Sequence, residues 1–190
     1  SPTALADEKC YNHLIQAATD ASKTIYIPSG ALWGANDIAK MSERNTLGAL
    51  SVSMSKHPLS LKLELPLSQI VDDYISDESA TGPIVVYEGC VRDLCPLAPN
   101  NVNTMACAAI AGSSLGFKKV QAKLIADKSL EAHVIDIDVQ GINNNGFRVT
   151  TERYNPAKVG AVTGNATYVS FLSSMKACPS TFNNGGFSFC

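Results

Sequence analysis

The stretch that most constrains this chain runs from Pro99 to Gly112. It reads Pro99-Asn100-Asn101-Val102-Asn103-Thr104-Met105-Ala106 and continues into Cys107-Ala108-Ala109-Ile110-Ala111-Gly112. Asparagine is favoured just ahead of a helix, because its side-chain oxygen accepts a backbone N–H that the first turn leaves unpaired. The body that follows is built almost entirely of small residues, so the helix can lie very close to whatever it packs on. The spacing predicts a capped core helix. Its polar, donor-rich start is also a place where an anionic group can rest.

With 190 residues, the chain can build one sizeable core, or one domain and part of another. A hydrophobic content of 45% and a mean hydropathy near zero describe a globular protein. The net charge of −2 gives no electrostatic case for nucleic acid or an anionic membrane. No apolar run approaches the roughly 20 residues that cross a bilayer. The chain opens at Ser1 and runs straight into a helical pattern, with neither the charged leader nor the apolar core of a signal peptide. It therefore reads as part of a longer protein. Cys10, Cys107 and Cys178 fall in helical patterns, and none of the six cysteines has zinc spacing. Reduced thiols in a cytoplasmic protein are expected, without a metal site. Asn165-Ala166-Thr167 matches a glycosylation sequon but falls within a helical pattern, so it carries no weight.

Residues 4–21 read as an amphipathic helix with Asp7 and Glu8 at its favourable end, and Thr24–Ile27 as a short strand. A loop with two glycines, Gly30 and Gly34, brackets the only tryptophan and leads into a short helix over 35–41. From Leu47 the period changes to two. Leu50, Val52 and Met54 alternate with serines, and Leu61, Leu63 and Leu65 with Lys62 and Glu64, giving half-buried strands on either side of the Lys56-His57-Pro58 break. Leu67–Glu78 is polar and acidic, and Ile84–Gly89 is a strand. Three further strand patterns carry Val120 to Ala126, His133 to Val139 and Phe147 to Glu152, the last two joined by a hairpin turn over 141–146. Asp136 and Asp138 face solvent on the second of these. A last helix spans 161–178, apolar at Val162, Ala166, Val169, Leu172 and Met175, and an aromatic tail over 179–190 is expected to dock on a neighbour. The fold class that results is α+β. A mixed or antiparallel sheet of about five or six strands is covered by helices and preceded by the closing part of an α/β domain.

Three features can carry chemistry. His133 leads an otherwise aliphatic strand face, where a buried imidazole acts as a general acid or base or is simply a satisfied core histidine. The asparagine-rich helix start is the second. The third is a set of cations near glycine or proline breaks, Lys56, Arg92, Arg153 and Lys158, that can hold carboxylates. No nucleophile elbow, Walker loop or GxGxxG fingerprint is present.

Several strings then fall in one order along nearly the whole chain: Ser1-Pro2-Thr3-Ala4-Leu5-Ala6-Asp7, Gly30-Ala31-Leu32-Trp33-Gly34-Ala35, Tyr87-Glu88-Gly89 with Arg92, Leu94-Cys95-Pro96, and Asn103-Thr104-Met105-Ala106. Leu115-Gly116-Phe117, Ala126-Asp127, His133-Val134, Asn155-Pro156-Ala157 and Gly160-Ala161-Val162-Thr163-Gly164 complete the set. In them the chain resembles the C-terminal two-thirds of the L-aspartate dehydrogenase family, its animal members above all. The resemblance implies an NAD- or NADP-dependent oxidation of L-aspartate to iminosuccinate, with the Rossmann phosphate loop upstream of this chain. It implies that residues 1–44 end the Rossmann domain, that 45–178 form an α+β catalytic and oligomerisation domain, and that 179–190 are a tail. It assigns His133 the catalytic role, Gly30, Ala31, Gly34, Asn101 and Asn103 to the cofactor, and Asn103, Lys158 and Arg92 to the substrate. The partners implied are L-aspartate and a second copy in a homodimer, and residues 1–190 alone are expected to be inactive. A catalytically silent dimerisation or binding module of the same fold and a related oxidoreductase with another substrate remain the alternatives.

Overall fold

The computed structural model describes residues 1–142, 146–164, 166–178 and 185–190. After a 3-10 turn at Pro2–Ala6, Asp7 caps helix α1 (Glu8–Asp20) by accepting the backbone N–H of Cys10 at 2.7 Å. Strand β1 (Ile25–Ile27) leads through the glycine loop to α2 (Ala35–Glu43). Gly34 starts that helix from φ +78°, a conformation that a side chain would strain. There follow β2 (Leu47–Lys56), α3 (Leu67–Ser76), β3 (Ile84–Cys90), the single turn α4 (Val91–Leu94) and α5 (Asn103–Ala111). The chain continues with the single turn α6 (Gly116–Lys119), β4 (Gln121–Ala126), β5 (Ala132–Gly141), β6 (Arg148–Pro156), α7 (Ala166–Ala177) and β7 (Phe187–Phe189).

Five strands form one sheet in the order β3-β4-β2-β5-β6. β2 and β4 run parallel and the other neighbours antiparallel, so the sheet is mixed and the fold α+β. A parallel pair needs a long crossover, and the segment from α3 to α6 supplies it. Leu50, Val52 and Met54 of β2, Ala122 and Leu124 of β4, and Ile135, Ile137 and Val139 of β5 are buried on one face. Helix α5 packs on β2 and is buried from Thr104 to Ala111, which only a helix of small residues allows without holding its neighbours apart. The fit is close. A Cβ added at Gly112, where α5 ends, would stand 3.0 Å from Leu50 Cδ2 and 3.2 Å from Leu47 Cδ2.

Several elements differ from the sequence reading. Leu61 and Leu63 pack on the core, as their alternation requires, yet 61–65 is not a strand. The Lys62 N–H goes to the Asn101 side chain and the Glu64 N–H to the Leu97 carbonyl, so no neighbouring strand receives them. The acidic stretch after Pro66 is helix α3, with Leu67, Val71 and Tyr74 turned inward. Residues 161–164 form a loop ahead of α7, not its first turn. The aromatic tail docks on its own chain, β7 pairing in parallel with β1. The hairpin turn lies partly outside the described residues, as does Asn165 of the sequon. All six cysteines are free thiols, and no described helix is long and apolar enough to cross a membrane.

Candidate active site

A cavity of about 600 Å³ opens where the end of the five-stranded sheet meets the β1 loop, the start of α5 and the loop before α7. The register explains its polar wall. Ser55 pairs with Val134 and His133 with Asn155, so Lys56, His133 and Asn155 follow one another across the sheet on the helix-covered face. One row inward, Met54 pairs with Ile135 and Ile135 with Arg153. Lys56, His133, Arg153 and Asn155 all line the cavity. No aspartate or glutamate does so among the described residues.

His133 is only 6% exposed, and its Nε2 lies 2.9 Å from the carbonyl oxygen of Ala161. A carbonyl only accepts, so Nε2 carries the proton and Nδ1 keeps its lone pair. Nδ1 faces Gly164, where an added Cβ would approach to 3.9 Å. Burial, and then the charge of Lys56, push the imidazole below its ordinary pKa, against the pull of the Ala161 carbonyl. The ring is therefore a neutral base at pH 7. Lys56 is 4% exposed and donates from Nζ to the Val162 carbonyl at 3.0 Å. Burial brings its pKa down to about 8, so it is mostly charged at neutral pH and has no carboxylate partner among the described residues. Arg153 donates from Nε to Asn155 Oδ1 at 2.9 Å and from a terminal nitrogen to the Gly30 carbonyl at 3.2 Å, which ties β6 to the β1 loop. It too is without a carboxylate partner among the described residues.

The structure brings Gly30, Ala31, Asn101, Asn103 and His133 to this cavity. Gly30, at φ +59°, has no atom within 4 Å of an added Cβ, which leaves its backbone open to a ligand. Asn103 lies in the first turn of α5 and accepts from the Ser1 hydroxyl. Asn101 is 3% exposed, and both polar atoms of its side chain are engaged by backbone: Oδ1 by the Lys62 N–H at 2.8 Å and Nδ2 by the Ser60 carbonyl at 3.0 Å. None of the asparagines caps α5. Val102 occupies that position without a side-chain bond, because Asn101 is spent on residues 60–62 and Asn103 is already inside the helix.

Arg92 lies away from the cavity in an ion pair with Glu8 at 3.0 Å, and Lys158 is exposed and does not line it. Gly34 borders a neighbouring open groove with Trp33 and Tyr154. Of the four cations picked out as carboxylate holders, Lys56 and Arg153 are therefore the two at the site. Strand parity carries the signal for Lys56: it continues the Leu50, Val52, Met54 series, a charge on an apolar face. Cys107 also lines the cavity and donates to the Pro28 carbonyl at 3.4 Å. Burial pushes its thiol up to about 12, so it is an inert wall. No cluster of three His, Cys, Asp or Glu suited to a metal ion occurs among the described residues.

A sequence model described as "Aspartate dehydrogenase, C-terminal" matches residues 37–174. The chain is 51% identical over 179 residues to an aspartate dehydrogenase domain-containing protein of Danio rerio, a match covering 94% of this chain and 62% of that protein. It is 33% identical over 138 residues to an L-aspartate dehydrogenase of Nitrosopumilus maritimus, covering 73% of this chain and 48% of that one. In three dimensions it superposes on the crystal structure of aspartate dehydrogenase from Thermotoga maritima with a TM-score of 0.67 at 20% identity, over 95% of this chain and 64% of the other. The match thus leaves more than a third of each relative's length uncovered.

Proposed function

The chain belongs to the aspartate dehydrogenase family, and on that premise we propose that it forms the substrate-binding and proton-handling part of an NAD(P)-dependent L-aspartate dehydrogenase. The observation that carries the reading is the charge of the cavity. Lys56 and Arg153 line it, and no described acid lines it with them. Two buried or half-buried cations without counter-charge favour a ligand that brings two negative groups. L-Aspartate brings two carboxylates, one for the Lys56 ammonium and one for the Arg153 guanidinium. L-Homoserine and L-asparagine bring only one.

The residues present also suit the nicotinamide end of a cofactor. The open backbone at Gly30 and Ala31, the small wall of Thr104 and Cys107, and Asn103 would hold it. A nicotinamide held there would supply the acceptor for the hydride from Cα. That transfer requires a neutral amine and close, dry placement of Cα. The His133 Nδ1 lone pair is the base that takes the ammonium proton, or later a proton from water attacking the imine carbon. Its depressed pKa keeps it free for that work at neutral pH.

We also propose a second copy of the chain as partner, forming a homodimer. Ser170 and Ser174 of α7 turn inward, while Tyr168, Val169, Phe171, Leu172 and Met175 are each more than half exposed. A helix that presents its apolar residues outward fits a permanent interface.

A substrate panel tests the enzymatic reading. The full-length protein with NAD+ or NADP+ is expected to form reduced cofactor with L-aspartate, and at least about 100-fold more slowly with L-asparagine or L-homoserine. Equal rates, or none with L-aspartate, refute it.

A further inference from the structure

The two cavity residues of greatest chemical interest hang on consecutive carbonyls of one loop. His133 Nε2 donates to Ala161 and Lys56 Nζ to Val162. Whatever fixes that loop fixes the tautomer of the imidazole and the place of the ammonium. The loop's own turn is closed by the Ala161 N–H on the Lys158 carbonyl at 2.9 Å, and its base by the Ala157 N–H on the Glu131 carbonyl at 3.0 Å. The remaining tie comes from a distant part of the chain. The Gly160 N–H donates to Ser60 Oγ at 3.1 Å, the Ser60 carbonyl accepts from Asn101 Nδ2, and Asn101 Oδ1 accepts from the Lys62 N–H. Ser60 is 1% exposed and Asn101 3%, so neither exchanges these bonds readily for water.

We infer that Ser60 and Asn101 are positioning residues for His133 and Lys56, acting through the backbone of residues 160–162. On this account Asn101 serves the site without contacting the cofactor, because both of its side-chain polar atoms are committed to segment 60–62. Ser60 links two loops that bracket the start of β5, and its hydroxyl accepts the Gly160 N–H. The consequence for turnover rests on the reading of the cavity as an aspartate dehydrogenase site; the consequence for the state of His133 does not. The charge that acts on His133 is that of Lys56 from β2; Arg153 from β6 lines the same cavity one row inward, and no acid is among the described cavity residues. A displaced loop is therefore felt by the imidazole as the loss of a single carbonyl acceptor and a shift of one neighbouring ammonium.

The test reads His133 directly in the full-length protein. Nitrogen-15 spectra of the imidazole in the unsubstituted protein are expected to show Nε2 protonated and Nδ1 bare; a protonated Nδ1 overturns the inference before any variant is made. Ser60→Ala and, separately, Asn101→Ala are expected to give a mixed tautomer and a changed titration midpoint for His133. They should lower kcat for L-aspartate by about tenfold or more, with cofactor Kd unchanged within about twofold. Ser60→Thr, which keeps the oxygen, should restore the tautomer. Folded Ser60→Ala and Asn101→Ala proteins with an unaltered His133 spectrum overturn the inference. A shifted spectrum in a protein that never oxidises L-aspartate upholds the positioning and rejects the proposed reaction instead.

Discussion

At the scale of single residues, Lys56 is the most informative side chain in the molecule. A charged lysine at 4% exposure is costly, and the fall of its pKa from 10.5 to about 8 records that cost. The sign of its effect on stability follows. Between pH 8 and 10.5 the unfolded chain still binds a proton that the folded chain has released, so folding stability rises with pH across that window. Below pH 8 the full cost of burying the charge remains. Lys56→Met is therefore expected to raise stability at pH 7 by about 1–2 kcal/mol and to flatten the rise above pH 8. The same substitution should raise KM for L-aspartate by about 100-fold, since one carboxylate loses its partner. Thermal denaturation across pH, set beside steady-state kinetics, checks both halves. A variant that is less stable and still binds L-aspartate normally would show Lys56 to be structural. The sequence holds this residue in plain view as the next step of the Leu50, Val52, Met54 face, but the Pro58 break beside it invites assignment to a turn. Arg153 is hidden differently. It becomes a cavity residue only through its pairing with Ile135, which no local pattern reveals.

At the scale of elements, periodicity finds most strands and helices but not always which way they face. The small-residue body of α5 is legible because eight buried positions in a row leave no polar side to misplace. Its cap is not, because the asparagine that composition favours is claimed by the backbone of residues 60–62, far off in sequence. The alternation over Leu61 to Leu65 truly marks an inward face, but a strand also needs a partner, and Asn101 and Leu97 take the groups a partner would have used. Helix α7 is the sharpest case. Val169, Leu172 and Met175 share an apolar stripe that reads as inward-facing, yet each is more than half exposed while Ser174 is buried and accepted by the tail, donating to the Cys190 carbonyl at 2.8 Å. A stripe that a second subunit covers has the same sequence pattern as one that faces the chain's own core. Leu172→Asp together with Met175→Asp should therefore shift the sedimentation of the full-length protein from dimer to monomer, with little loss of thermal stability in the monomeric fold. A wild-type protein that sediments as a monomer contradicts the assignment.

At the scale of the molecule, the two sheets play different parts. The five-stranded sheet supplies the cations and the imidazole from the ends of β2, β5 and β6. The β1–β7 ribbon and its loop supply the opposing wall at Gly30 and Ala31, and Arg153 joins the two by donating to the Gly30 carbonyl. The family relationship is legible from motifs spread along the whole chain. The cavity is legible only once β2, β5 and β6 are set in register, because it is built from ends that lie about 100 residues apart in sequence. The proposed reaction turns on His133 acting as the base in a cavity lined by Lys56 and Arg153. Its most direct test is the rate of reduced-nicotinamide formation from L-aspartate by the full-length protein, compared with the His133→Asn form. Loss of a positioned general base costs about 100- to 10,000-fold, and that loss is predicted here with cofactor binding retained. Equal rates in the two proteins would contradict the account.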